Sequence, residues 1–225
     1  MKYVPDSTGR FDRRPHYEQA ELDELCERTI IQFMEERCGG MRLPIPTDVI
    51  TKLIERDADD LDLCADLSAH GTKVEGFTDF CPNTKPTVKI TEKLSRHKWQ
   101  ENRLRTTLTH EYGHVLLHAP LYNTDSPCTL QVSEPTYRSP SQIRGVSDDR
   151  DWMEWQAKYV SGAILMPVTA VKQAVLDYCR RWGTSSPIST KTGHAGDLTH
   201  AIAKAFAVSE DAAKIRLQQL GCFCA

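Results

Sequence analysis

The residues best equipped for chemistry in this 225-residue chain are two histidines with a glutamate between them, in the run His110-Glu111-Tyr112-Gly113-His114. On a helix, positions four apart differ by only about 40° around the axis, so both imidazoles project toward one point and can grip one metal ion. Glu111, beside the first histidine, is then placed to take a proton from a metal-bound water, the arrangement on which zinc peptidases run. The flanking residues predict the helix that this geometry needs. Between Trp99 and Leu117 there is no proline, the one glycine is Gly113, and Leu104, Leu108 and Val115 form an apolar stripe next to the histidine face.

Zinc held by two histidines takes a third protein ligand and keeps its fourth position for water. The candidate is Glu154. It opens a stretch, residues 154–167, that reads as a helix stopped by Pro167. On that helix Glu154, Ala157, Ser161 and Leu165 share a face, and the small residues next to the acid would let its backbone come close to the metal helix. Spacing alone leaves two readings open for Glu154: a ligand, or a solvated acid favoured at a helix start by the macrodipole. His118 extends the histidine spacing by another four residues. It stands about 12 Å along the axis from His110, too far to share its metal, so a supporting role is expected.

Together, H-E-Y-G-H-V-L-L-H and E-W-Q-A-K-Y-V-S-G-A-I-L-M-P resemble the paired signature of the ImmA/IrrE family of bacterial metallo-endopeptidases. That pattern runs H-E-x-G-H-x-x-x-H, then E-x-x-A-N-x-F-A-x-x-L-L-M-P. The resemblance implies a Zn2+ cofactor held by His110, His114 and Glu154, with Glu111 as general base. The chain departs from the pattern at Lys158, Val160 and Ser161, where the family has Asn, Phe and Ala; these are changes of packing, and none removes a ligand. The resemblance further implies a bacterial or mobile-element protein that cleaves or inactivates a helix-turn-helix repressor in response to DNA damage or another stress. For the donor that steadies the oxyanion, Tyr112, Tyr159 and His97 are all candidates, and the sequence does not choose among them.

The elements that must position these residues give an α+β fold: a zincin-like core of helices with a small sheet, then a short helix-turn-helix-like segment. Residues 1–15 read as a flexible polar tail, 16–182 as the metallopeptidase domain, 183–196 as a linker and 197–225 as the C-terminal segment. Helices are predicted over 17–38, ended by Gly39-Gly40, and over 48–56, with Thr47 as N-cap. Short strands follow at 62–65, 74–80 and 87–91. Either of the last two could pair with an extended substrate through its backbone. Residues 119–151 are rich in turn formers and are expected near the cleft, with 129–132 as one strand of a hairpin.

Near the C-terminus, helices are predicted over 169–182, 198–205 and 209–220, the last with Ser209 as N-cap. The run A-F-A-V-S-E-D-A-A-K-I-R-L-Q-Q-L-G is similar to a segment that follows the peptidase core in the same family. It offers DNA contact through Lys214, Arg216, Gln218 and Gln219, or a helical pair for packing and protein docking. With a net charge of -3, a pI of 6.2, and Glu210 and Asp211 at the tip, there is no basic field, and the docking role is favoured.

Composition fits this picture, with 40% hydrophobic and 26% charged residues and no long apolar span. The polar start predicts neither a secretory signal nor a membrane anchor, hence a cytoplasmic protein without a membrane partner. The eight cysteines contain no C-x-x-C pair and are expected to be reduced, most of them acting as small buried hydrophobes. His16, His70, His97, His194 and His200 have no ligand spacing.

Overall fold

The computed structural model describes residues 1–71, 73–123, 125, 126, 128 and 151–225. The described chain is mixed α+β. In order, the elements are β1 (Lys2–Pro5), β2 (Arg13–His16), α1 (Gln19–Cys38), α2 (Thr47–Asp57), β3 (Asp60–Ala65), β4 (Gly76–Asp79), β5 (Thr87–Thr91), α3 (Glu92–Ser95), α4 (Glu101–His118), α5 (Trp152–Leu165), α6 (Val168–Trp182), β6 (Ile188–Ser189), α7 (Gly193–Phe206), α8 (Glu210–Gln219) and β7 (Phe223–Cys224). Contacts divide the chain into two units. The first holds Met1–Leu22 and Thr47–Ser161, the second Asp23–Pro46 and Gly162–Ala225.

In the first unit, β3, β5 and β4 form a three-stranded sheet in that order, β3 parallel and β4 antiparallel to β5. The core side of α2 carries Val49, Ile50, Leu53 and Ile54, all buried, which satisfies the 3.6-residue period seen in the sequence. β5 contributes Val88 and Ile90, and α4 contributes Leu108, Tyr112 and Val115. α4 packs against both α2 and β4. Thr47 does not cap α2 as expected: it lies inside the helix, and its hydroxyl donates to Glu101 Oε1 at 2.8 Å.

Residues 1–15, expected to be a tail, are instead structured. β1 and β2 pair antiparallel from Lys2↔His16 to Pro5↔Arg13. What looked like solvated polarity is used internally. The Asp6 carboxylate accepts from Thr8 N, Thr8 Oγ1, Phe11 N and Trp152 Nε1 at 2.8–3.1 Å, and Arg10 pairs with the buried Asp151. Phe11 then inserts into a cluster with Phe80, Leu121, Tyr122, Cys128, Trp152 and Met153. A buried aromatic and a multiply bonded carboxylate thus anchor the short hairpin, together with the Arg10 ion pair.

α4 and α5 cross at unusually close range. A Cβ placed on Gly113 would lie 2.8 Å from Ala157 Cα and 3.1 Å from Ala157 O, so no larger residue fits without moving a helix. One turn away, Thr109 Oγ1 and Ser161 Oγ are 2.8 Å apart, and Ser161 Oγ donates to Thr106 O at 3.0 Å. Ser161 therefore ties the two helices together.

In the second unit, Cys26, Ile30, Phe33 and Met34 of α1 are buried, as are Val171 and Val175 of α6 and Leu198, Ile202 and Phe206 of α7. α7 packs on α6 and on α8. The segment expected as a linker, 183–196, forms β6, which pairs in parallel with β7, and supplies the first turn of α7. Ser209 caps α8 as expected, its side chain accepting from Ala212 N. Arg216 is 1% exposed, 2.7 Å from Asp23 Oδ1, and donates to Met166 O at 3.1 Å. All eight cysteines are free; Cys26, Cys128, Cys179 and Cys222 are buried, Cys38 is half-buried, and Cys64, Cys81 and Cys224 are exposed, so burial is less general than expected.

The crossing generates a paired test. Gly113→Ala should cost about 1–3 kcal/mol, the range for overpacking a tight contact. Gly162→Ala, where a Cβ meets nothing nearer than Arg216 Cδ at 3.9 Å, should be neutral or stabilising by up to ~1 kcal/mol. Urea unfolding of both variants checks this; equal stabilities would contradict the close approach.

Candidate metal centre

Residues of two helices converge. His110 and His114 stand one above the other on α4, and Glu154 sits in the first turn of α5. The two imidazole nitrogens and the Glu154 carboxylate form a small triangle: His110 Nε2 to His114 Nε2 is 3.3 Å, and each histidine faces a different carboxylate oxygen, His110 Nε2 to Oε2 at 3.4 Å and His114 Nε2 to Oε1 at 3.2 Å. Among the described residues this is the one group of three or more His, Cys, Asp or Glu whose ligand atoms could hold a metal ion. Tetrahedral coordination with bonds of about 2.0–2.1 Å places ligand atoms about 3.3–3.4 Å apart. The triangle has the size of a zinc site, and two imidazole nitrogens with one carboxylate oxygen are donors suited to that ion. Glu154 Oε1 is buried and turned toward His114 Nε2, as a ligand oxygen would be. The residues fit the group.

The site is buried on one side and open on the other. His114 is fully buried, and Glu111 and Glu154 are nearly so. His110 and Glu111 line a cleft of about 360 Å³ together with Lys73, Val74, Glu75, Gly76, Thr106 and Thr107. Burial works against the charged form of His110, but the hydrogen bond to Glu154 and the charges of Glu111 and Glu154 outweigh it and hold its pKa above the ordinary value. Burial likewise works against the Glu154 carboxylate. The hydrogen bonds and charges of His110 and His114 overcome it and keep that group far below the usual range.

Glu111 is held from the sheet. Thr78 of β4 donates through Oγ1 to Glu111 Oε2 at 2.7 Å. Gly76 lies so close that a Cβ there would be 2.5 Å from Glu111 Oε1 and 2.8 Å from its Cγ. The carboxylate is therefore wedged between β4 and its own helix. Tyr112, weighed as an oxyanion donor, points elsewhere: its hydroxyl donates to Asp57 Oδ2 at 2.7 Å, and Asp57 is paired with Arg56. Tyr159 packs on Trp155 and His97 stacks on Trp99, with ring centroids 5.7 and 5.8 Å apart.

His118 is fully buried behind His114, with the two Nδ1 atoms 3.0 Å apart, and is not part of the donor triangle. Burial and the neighbouring His114 push its pKa well below the ordinary value. Its Nε2 lies 3.0 Å from Gln156 Oε1, and Gln156 Nε2 donates to Pro15 O at 3.0 Å. Thr78, Gly76, Gln156 and the Pro15 carbonyl were not found from the sequence. Each reaches the site through a contact between distant segments, for which one sequence carries no spacing signal. Of residues 119–151, Leu121 and Tyr122 join the aromatic cluster, while the strand expected at 129–132 lies outside the described residues. Of the possible DNA-contacting residues, Lys214 and Gln218 are exposed, Gln219 is half-buried and Arg216 is buried.

Comparison with protein-family models and with curated proteins finds no match. Among the described residues no single helix is long and apolar enough to cross a membrane.

Two outcomes follow from this geometry. Metal analysis should find about one zinc per chain, with large losses in His110→Ala, His114→Ala and Glu154→Ala; full occupancy in Glu154→Ala together with loss in His118→Ala would reverse the ligand assignment. The second concerns pH in the metal-free protein. Because the folded pKa of His110 is raised above 6.5, its pairing with Glu154 stabilises the fold below that pH, and the contribution is lost as pH rises through the folded value. Glu154 is lowered from 4.5, so its share persists until pH falls far below that value. The stability gap between wild type and Glu154→Gln, measured by urea unfolding in chelator, should therefore shrink from about pH 5.5 to about pH 8; a gap that widens would contradict it.

Proposed function

We propose that this chain is a zinc-dependent endopeptidase with a zincin-like core, hydrolysing a peptide bond in a protein substrate. The observation that carries this reading is the pairing of a zinc-sized donor triangle with a carboxylate that is not needed to hold the ion. Glu111 lies one residue from the ligand His110, is anchored by Thr78 and faces an open cleft. Bound in the triangle, zinc would lower the pKa of a coordinated water to about 7 and polarise a substrate carbonyl. Glu111 would accept the proton of the attacking water and return it to the leaving amine. Thr78 holds Oε2, which leaves Oε1, lying over Gly76, as the oxygen that exchanges protons.

The substrate path follows from the sheet. β4 is an edge strand, bonded to β5 on one side and to no strand on the other among the described residues. Its start lines the cleft, so an extended peptide laid along it would pass His110 and Glu111, gaining affinity from backbone pairing with little demand on sequence. Of the two strands weighed from the sequence, β4 suits this role and β5, central in the sheet, does not.

The resemblance to the ImmA/IrrE family supports a cytoplasmic enzyme whose substrate is a helix-turn-helix repressor in a stress or mobile-element circuit. Burial of Arg216 in an ion pair with Asp23 removes one cation from any DNA-facing surface of α8, which favours protein docking over duplex contact for the C-terminal pair.

Glu111→Gln tests the reading. The variant should fold and retain zinc, yet lose cleavage of a cognate repressor by at least ~10²-fold, the usual effect of removing a general base. Incubation with candidate repressors, followed by mass spectrometry for a single internal cut, measures it. Equal silencing of the repressor by wild type and variant, with no cut in either, would replace the enzyme by a metal-supported binding module.

A further inference from the structure

We infer that Gln156 is a positioning residue for the metal centre, fixing through His118 which nitrogen of His114 carries its proton. One group at the end of the chain of contacts has a single possible role. The Pro15 carbonyl in β2 can only accept, and Gln156 Nε2 lies 3.0 Å from it. That contact orients the amide, since the flipped form would set two oxygens against each other at Pro15 and an NH2 group against His118. Gln156 Oε1 therefore faces His118 Nε2 at 3.0 Å, and that nitrogen must be the donor.

The next contact admits one proton. His118 Nδ1 and His114 Nδ1 are 3.0 Å apart. His118 is fully buried, with the Trp152 ring edge-on at 5.5 Å, and two ring nitrogens this close have room for one proton between them. A neutral ring protonated on Nε2 accepts at Nδ1, so His114 Nδ1 is the donor. With its proton held at Nδ1, His114 has Nε2, the atom that faces His110 and Glu154, to offer to a metal. The proton positions thus run from a hairpin carbonyl through an amide and one imidazole to a ligand. The hairpin that supplies Pro15 is fastened to the start of α5 through Asp6–Trp152 and Arg10–Asp151, which holds the final acceptor in place.

This inference rests on the metal-site half of the proposed function and not on peptide hydrolysis. Its test reads the rings directly, by long-range 1H–15N correlation spectra of the metal-free protein with labelled histidine. Wild type should show His118 protonated on Nε2 and His114 on Nδ1. Gln156→Met keeps the length and removes the acceptor; His118 should lose its Nε2–H preference, and zinc affinity by chelator competition should fall about 10–100-fold. His118 protonated on Nδ1 in wild type, or Gln156→Met with unchanged tautomers and affinity, overturns the proposal. If Gln156→Met fails to fold, the wild-type spectrum decides alone. A wild type that binds no zinc overturns the metal reading on which the proposal rests, and the ring spectra tell that failure apart from an error in the proton positions.

Discussion

The approach of α4 to α5 at Gly113 and Ala157 sets the scale of the whole site. Glu154 is one turn before Ala157 on α5, and His110 and His114 bracket Gly113 on α4, so the separation of two backbones fixes how far a carboxylate stands from two imidazoles. With no side chain at 113 and a single methyl at 157, the donors meet at 3.2–3.4 Å. Any larger residue at 113 runs into Ala157 backbone atoms, which cannot swing aside as a side-chain tip could. The hydroxyls of Thr109 and Ser161 then lock the crossing one turn further along.

Bringing those donors together has an electrostatic consequence. Glu111 and Glu154 are both buried beside the same pair of histidines. Buried carboxylates are costly unless a cation or strong donors compensate them. In the metal-free protein the Thr78 hydroxyl meets part of that need at Glu111, and the pairing of the histidines with Glu154 meets another part, raising the His110 pKa and lowering that of Glu154. A divalent cation at the centre of the triangle would meet the rest. The same arrangement that leaves two buried carboxylates only partly compensated without metal makes the site receptive to zinc.

Local pattern was legible in the sequence and long-range contact was not. The H-E-x-x-H spacing identified α4 and its two histidines because the period of a helix converts sequence distance into direction. The face Glu154, Ala157, Ser161 was visible for the same reason, and the close helix contact it implied is present. Assigning Glu154 a ligand role needed the paired signature, since a helix-start acid has a common alternative use. The N-terminal hairpin was missed because its strands are four residues each and its polar residues serve as internal partners, which composition reads as solvation. Thr78, Gly76 and Gln156 were missed because what matters about them is a neighbour brought close by the fold. Residues 183–196 looked like a linker because glycine, serine and threonine dominate there, yet a two-residue parallel pairing with β7 is enough to order their middle.

The central claim, that two helices present two imidazoles and one carboxylate to a single zinc ion, is tested most directly by X-ray absorption at the zinc edge of the loaded protein. The account predicts a first shell of nitrogen and oxygen only, at about 2.0–2.1 Å, with outer-shell scattering from two imidazoles. A sulfur shell at about 2.3 Å would place the metal on cysteine thiolates and contradict it.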